Sequence, residues 1–132
     1  MILLDSGVLI GIGNRSDPFR KRALEVQKEL EDGGESLILT ETVLGEVITL
    51  LARRLDVKIA VEFARRLIDN EQIEFIQPEI YEIKMALSFM EKYSLRSYAD
   101  GLSMAVMEAR NIQKIASFDS DFDRNPKIKR IK

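Results

Sequence analysis

Four short apolar runs, Met1–Leu4, Leu37–Leu39, Ile73–Ile76 and Ile115–Phe118, alternate with long segments whose apolar residues recur at helical spacing. Runs this short suit buried strands, since most helices run to about 10 residues or more. Antiparallel neighbours can be joined by tight turns, whereas parallel neighbours need a crossover of about a dozen residues or more, usually a helix. Each interval here is long enough for such a crossover. The expected fold is therefore α/β, with helices on a mostly parallel central sheet. The 132 residues contain no Pro/Gly-rich stretch and no internal repeat, which suits one domain over 1–132 with a single core.

Asp5-Ser6 ends the first run as a turn, and Val8–Ile12 follows as a short helix. Asp17-Pro18 reads as a helix start, with a capping acceptor and a proline whose fixed φ suits the first helical position. That helix is expected to stop at Gly33-Gly34. Thr40 can cap the next, running to about Leu55, and Asp56 another, through about Asn70. Pro78 leads into a helix ending near Tyr93, and a further one is expected over Tyr98–Asn111. Lys127–Lys132 alternates basic and apolar residues as a final edge strand does. Lysines there discourage edge-to-edge pairing, with contact to RNA as the alternative reading.

Composition narrows the chemistry. There is no histidine and no cysteine. Disulfides, thiolate catalysis, cysteine zinc sites, the Ser-His-Asp relay and histidine-pair ribonuclease chemistry are all excluded. What remains is oxygen chemistry, and carboxylates alone suit hard cations such as Mg2+ or Mn2+. With 20 basic and 22 acidic residues the net charge is −2, so no global basic field announces nucleic-acid binding. Two divalent cations at a cluster of four carboxylates would cancel its charge locally, leaving nearby Arg and Lys to set the potential. The longest apolar stretches are short and broken by charge, and the N-terminus lacks a basic leader, so a cytoplasmic protein without a membrane span is expected.

Four acids stand out by position. Ligands in parallel α/β sheets collect at strand carboxyl ends, and Asp5 and Asp119 follow the first and fourth apolar runs. Asp5 also reads as a helix cap. Glu46 lies at the margin of the apolar arc Val43, Leu44, Val47, Ile48, Leu50 and Leu51. Its neighbours three and four residues away are Thr42, Val43, Thr49 and Leu50, so no helical ion pair explains it, although Arg53 is two turns on. In Ser97-Tyr98-Ala99-Asp100, Ser97 can cap and Asp100 takes the third helical position, which fits a capping box as well as it fits a ligand near a helix start.

Asp119, Asp121 and Asp123 alternate in the segment after the fourth run, as in a calcium loop, but the required glycine and glutamate are replaced by Arg124 and Arg130. Asp121 and Asp123 therefore read as a solvated acidic turn, with Asp119 best placed to point inward. Arg15, Arg20, Lys21, Arg53, Arg54 and Arg96 suit solvated helix faces.

The series Leu4-Asp5-Ser6, Thr42 with Glu46, Tyr98-Ala99-Asp100 and Ala116-Ser117-Phe118-Asp119-Ser120-Asp121-Phe122 resembles the PIN domain across essentially the whole chain. Within that family it looks like the small VapC-type toxins of toxin-antitoxin pairs, which are single PIN domains of about this length. The resemblance implies a three-layer α/β/α fold and a Mg2+- or Mn2+-dependent endoribonuclease. It makes Asp5, Glu46, Asp100 and Asp119 the catalytic and metal-binding quartet, Asp121 a further metal ligand, and Ser6 and Ser117 supporting hydroxyls. It also implies an RNA substrate, an antitoxin protein as partner and a homodimer. The apolar residues Ile59, Val61, Phe63 and Leu67 suit either such contacts or core packing. One departure is Gly101, where the family commonly has alanine; it is expected to cost about 1 kcal/mol of helix stability and loosen Asp100.

Carboxylates holding one or two cations, about 3.5 to 4 Å apart when paired, can activate water and stabilise a leaving 3′ oxygen, giving 5′-phosphate and 3′-hydroxyl ends. A phosphoacceptor receiver domain is the rival α/β reading. Receivers need an acidic pair after the first strand, and here Asp5 is followed by Ser6. An RNA-processing nuclease without an antitoxin, and a non-catalytic RNA- or protein-binding module, are the alternatives within the same family.

Overall fold

Ile2, Leu3 and Leu4 are all buried, so the first strand, β1 (Ile2–Leu4), is covered on both faces. The computed structural model describes residues 1–132. After β1 come α1 (Ser6–Gly13), α2 (Arg20–Gly33), β2 (Leu37–Thr40), α3 (Glu41–Arg54) and α4 (Val57–Ile68). The chain continues through β3 (Ile73–Ile76), α5 (Ile80–Tyr93), α6 (Tyr98–Ala109), β4 (Lys114–Ala116), a 3-10 turn (Ser120–Arg124) and β5 (Lys129–Ile131). The sheet order is β3-β2-β1-β4-β5, and every pairing is parallel.

Strand alternation splits the core into two layers, as a period of two requires. Ile2, Leu4, Leu37 and Leu39 face α1 to α4, packing with Val8, Val26, Val47 and Phe63. Leu3, Ile38 and Ile115 face the other way, onto α5, α6 and Phe122 of the 3-10 turn. This is the three-layer α/β/α arrangement expected. On α4, Phe63 and Leu67 are buried in the first layer, while Ile59 is exposed. The final basic-apolar segment forms edge strand β5 alongside β4.

Local backbone chemistry moves several boundaries from their sequence positions. Helix α1 begins at Ser6 rather than Val8, because Asp5 caps it directly: the Ser6 amide donates to Asp5 Oδ1 at 2.7 Å. Helix α2 begins at Arg20 rather than at Asp17-Pro18. Asp17 Oδ1 instead accepts from the Phe19 amide at 2.9 Å, closing a local turn before the helix. Helix α6 stops at Ala109 because Asn111 takes a left-handed φ of 56° and the Ile112 amide turns back to the Met107 carbonyl at 2.9 Å. The other helix ends agree closely with the capping signals: Thr40 accepts from the Val43 amide, Asp56 from Ile59, and Gly34 is left-handed after α2.

Gly101 has a packing role. A Cβ there would stand 2.9 Å from the Ala86 carbonyl oxygen and 2.8 Å from Met90 Cγ. Its absence lets α6 lie against α5, so the residue fixes the helix carrying Asp100 against its neighbour instead of loosening it.

Candidate active site

The carboxyl ends of β1 and β4 lie side by side, with Leu4 paired to Ala116. The next residues, Asp5 and Ser117, therefore emerge together. The Asp5 amide donates to the Ala116 carbonyl at 3.1 Å, and the Ser117 hydroxyl donates to Asp5 Oδ2 at 2.5 Å. Ser117 Oγ also accepts from the Asp119 amide at 3.0 Å, and Asp119 Oδ1 accepts from the Asp121 amide at 2.8 Å. One fully buried hydroxyl thus couples the first strand's acid to the loop carrying the last two. Ser6, by contrast, supports Asp5 through its backbone amide.

Helix α6 starts beside this corner. Ser97 caps it, accepting from the Asp100 amide at 3.3 Å. The Asp100 carboxylate does not reach back to complete a capping box; it faces Asp119 and Asp121, and oxygen atoms of the three lie within 4.8 Å of one another. Glu46, on the second turn of α3, lines the same cleft as Asp5, Asp100 and Asp119. No Lys or Arg pairs with it: Arg53 makes no ion pair, and Arg54 turns to Asp17 at 3.7 Å. The cleft has a volume of about 560 Å3. Asp123 lies outside the acidic group, paired with Arg130, while Asp121 is also held by Arg124 at 2.9 Å.

Crowded acids shift one another. Burial, together with the charges of Asp5, Asp119, Glu46 and Asp121, pushes Asp100 up to about 7. Burial likewise raises Asp5, opposed by its hydrogen bonds from Ser117 and Ser6, with Glu46 and Asp119 adding to the rise. Neither Glu46 nor Asp100 has a hydrogen bond or cation on its carboxylate, so both present free acceptors to the cleft. An all-oxygen donor set of this kind suits a hard divalent cation, whose charge would relieve the repulsion. The residues present therefore fit such an ion.

Three cleft residues lie outside the acidic pattern. Arg54, on an exposed face of α3 as expected, also lines the cleft. Phe19 and Phe118 stack at its edge, ring centroids 5.2 Å apart at 19°. Phe19 stands four residues before Ala23 and so continues the buried stripe Ala23, Val26 and Leu30 of α2. That periodicity disguises an exposed aromatic as core. The only local signal is its place directly after Asp17-Pro18, where the turn swings it off the helix.

The PIN domain family model matches residues 2–128. Two mycobacterial proteins are similar over nearly their whole length. VapC ribonuclease Mb1869c of Mycobacterium bovis is 29% identical over 134 residues, covering 99% of both chains. The 23S rRNA-specific endonuclease VapC20 of Mycobacterium tuberculosis is 32% identical over 126 residues, covering 92% of both. The crystal structure of VapC20, a sarcin-ricin loop cleaving toxin, superposes with a TM-score of 0.80 at 25% identity, covering 93% of both chains. A toxin-antitoxin complex from Klebsiella pneumoniae shares the fold, with a TM-score of 0.70 at 15% identity over 97% of this chain and 95% of that one. Matched along nearly its whole length, the chain belongs to the PIN domain family.

Proposed function

We propose that residues 1–132 form one nuclease domain, a Mg2+- or Mn2+-dependent endoribonuclease that hydrolyses RNA at the cleft of Asp5, Glu46, Asp100 and Asp119. The observation that carries this reading is the convergence of these acids from four separate elements, with Asp100 raised to about 7 by burial and its neighbours. The names of the similar proteins, ribonuclease and endonuclease, support the same class of reaction. They also support a role as the toxin of a type II pair, with an antitoxin as protein partner; the fold shared with a toxin-antitoxin complex is consistent with it. A homodimer and a cytoplasmic location complete the reading; no helix is long and apolar enough to cross a membrane.

Asp100, Asp119 and Asp121 would hold the cation, with Asp5 and Glu46 completing the negative wall. The chemistry a divalent cation supplies at such oxygens is Lewis acidity and activation of water for attack on phosphorus. The chain's own residues prepare the site. Ser117 and the Ser6 amide keep the Asp5 carboxylate in one orientation. Glu46, free of any cationic partner, can accept a proton from attacking water. Arg124 fixes Asp121 and donates to the Tyr93 carbonyl at 2.6 Å, tying the acidic loop to the end of α5.

RNA cleavage with Mg2+, Mn2+ or EDTA tests the assignment, comparing the parent chain with Asp5→Asn, Glu46→Gln, Asp100→Asn and Asp119→Asn. Each change is expected to lower the rate by on the order of 100-fold or more, the scale for losing one electrostatic group from a reacting centre. Products should carry 5′-phosphate and 3′-hydroxyl ends. Activity in EDTA, or cyclic phosphate ends, would overturn the mechanism.

A further inference from the structure

We propose that the stacked pair Phe19 and Phe118 is a base-stacking platform that seats one unpaired RNA base beside the scissile phosphate; this rests on the nuclease reading above. Phe19 is 56% exposed, an unusual state for a large aromatic ring, and its neighbour on one face is Phe118. Phe118 is half-buried, packed on the first core layer and against Gly7, where a Cβ would stand 3.9 Å from its ring. A rigid inner ring therefore backs an outer ring that faces the cleft.

The position of the pair ties it to the chemistry. Phe118 lies between Ser117, which bonds Asp5, and Asp119 in the acidic group. Both rings line the cleft that holds Asp5, Glu46 and Asp100. A strand whose phosphate sits at the acids has its adjoining base within reach of these rings. The charge balance points the same way. The net charge is −2, and the one arginine lining the cleft, Arg54, is paired with Asp17. Counterion release from basic side chains is then a small source of affinity, whereas aromatic stacking needs no positive charge and accepts any base. Only an unpaired base can present its face to such a ring, so the substrate class is single-stranded or looped RNA.

The test is cleavage of a single-stranded oligoribonucleotide in Mn2+ by the parent, Phe19→Ala, Phe19→Leu and Phe19→Trp. Losing one stacked base is expected to raise KM roughly 5- to 150-fold in the Ala and Leu variants. Their kcat should stay within about twofold, the mark of binding lost equally from ground and transition states. Phe19→Trp should restore the parent KM. Phe19→Leu keeps the apolar bulk, so a folding defect cannot imitate the result. A second readout is photocrosslinking of a 5-iodouridine strand to the Asp100→Asn variant, with the adduct expected on Phe19. If the parent cleaves RNA but Phe19→Ala and Phe19→Leu keep its KM, the platform is refuted and the exposed ring belongs to a protein contact. If the parent cleaves no RNA yet the Asp100→Asn variant crosslinks at Phe19, the nuclease reading falls and the stacking site stands. Absence of both cleavage and crosslink removes both.

Discussion

Ser117 shows how much of the site hangs on one side chain. Its hydroxyl hydrogen goes to Asp5 and its lone pair to the Asp119 amide, in a position with no exposure. Ser117→Ala leaves the partly buried Asp119 amide without its partner and removes the strongest influence holding Asp5 down against burial. Loss of about 1–3 kcal/mol of stability at neutral pH follows, measured by urea unfolding. In the Asp5→Asn background the same change should cost clearly less, because the charged acceptor is gone; equal costs would show that the pair is not coupled. Ser103 offers the contrast. Its buried hydroxyl has no partner, so nothing comparable depends on it.

At the scale of elements, α5 and α6 meet through Gly101. Propensity alone says Gly101→Ala should stabilise α6 by about 1 kcal/mol. Packing says otherwise: the new methyl meets the backbone of Ala86, which cannot rotate away, and overpacking of this kind costs about 1–3 kcal/mol. The variant is expected to melt lower than the parent and to bind Mn2+ more weakly, since Asp100 is the preceding residue. A higher melting temperature would mean that α5 yields freely. This contact was illegible in the sequence because it depends on which helix lies opposite. Strand ends and caps were legible because they are local: apolar runs stop at Asp5 and near Asp119, and Thr40, Asp56 and Ser97 each accept from an amide three residues on. Asp17 marks the limit of that logic, for its oxygen bonds two residues on and the helix waits until Arg20. The aromatic pair was hidden for another reason, since Phe19 obeys helical spacing while the turn before α2 takes it out of the core.

For the whole molecule, gathering the acids opposes folding. The unfolded chain ionises its aspartates near pH 4, whereas the native state keeps Asp100 protonated up to about 7 and raises Asp5 as well. Between these limits the native state binds more protons than the unfolded one, so metal-free stability falls as pH rises. Glu82, lowered chiefly by its hydrogen bond from Arg110, has the opposite sign, but its contribution is complete above its ordinary carboxylate range and lost only below it. The chain has no histidine to titrate in between. Melting in EDTA at about pH 5.5 and about pH 7.5 should therefore show the lower midpoint at the higher pH, where ordinary carboxylates no longer change charge. Asp100→Asn should flatten that difference. Adding Mn2+ should raise the midpoint at about pH 7.5, by the equivalent of about 2.7 kcal/mol when the ion is at 100 times its Kd. It should act more weakly at about pH 5.5, where protons compete for the same oxygens. A flat profile in EDTA, or equal rescue by Mn2+ at both values, would show that the acids are not one electrostatic unit.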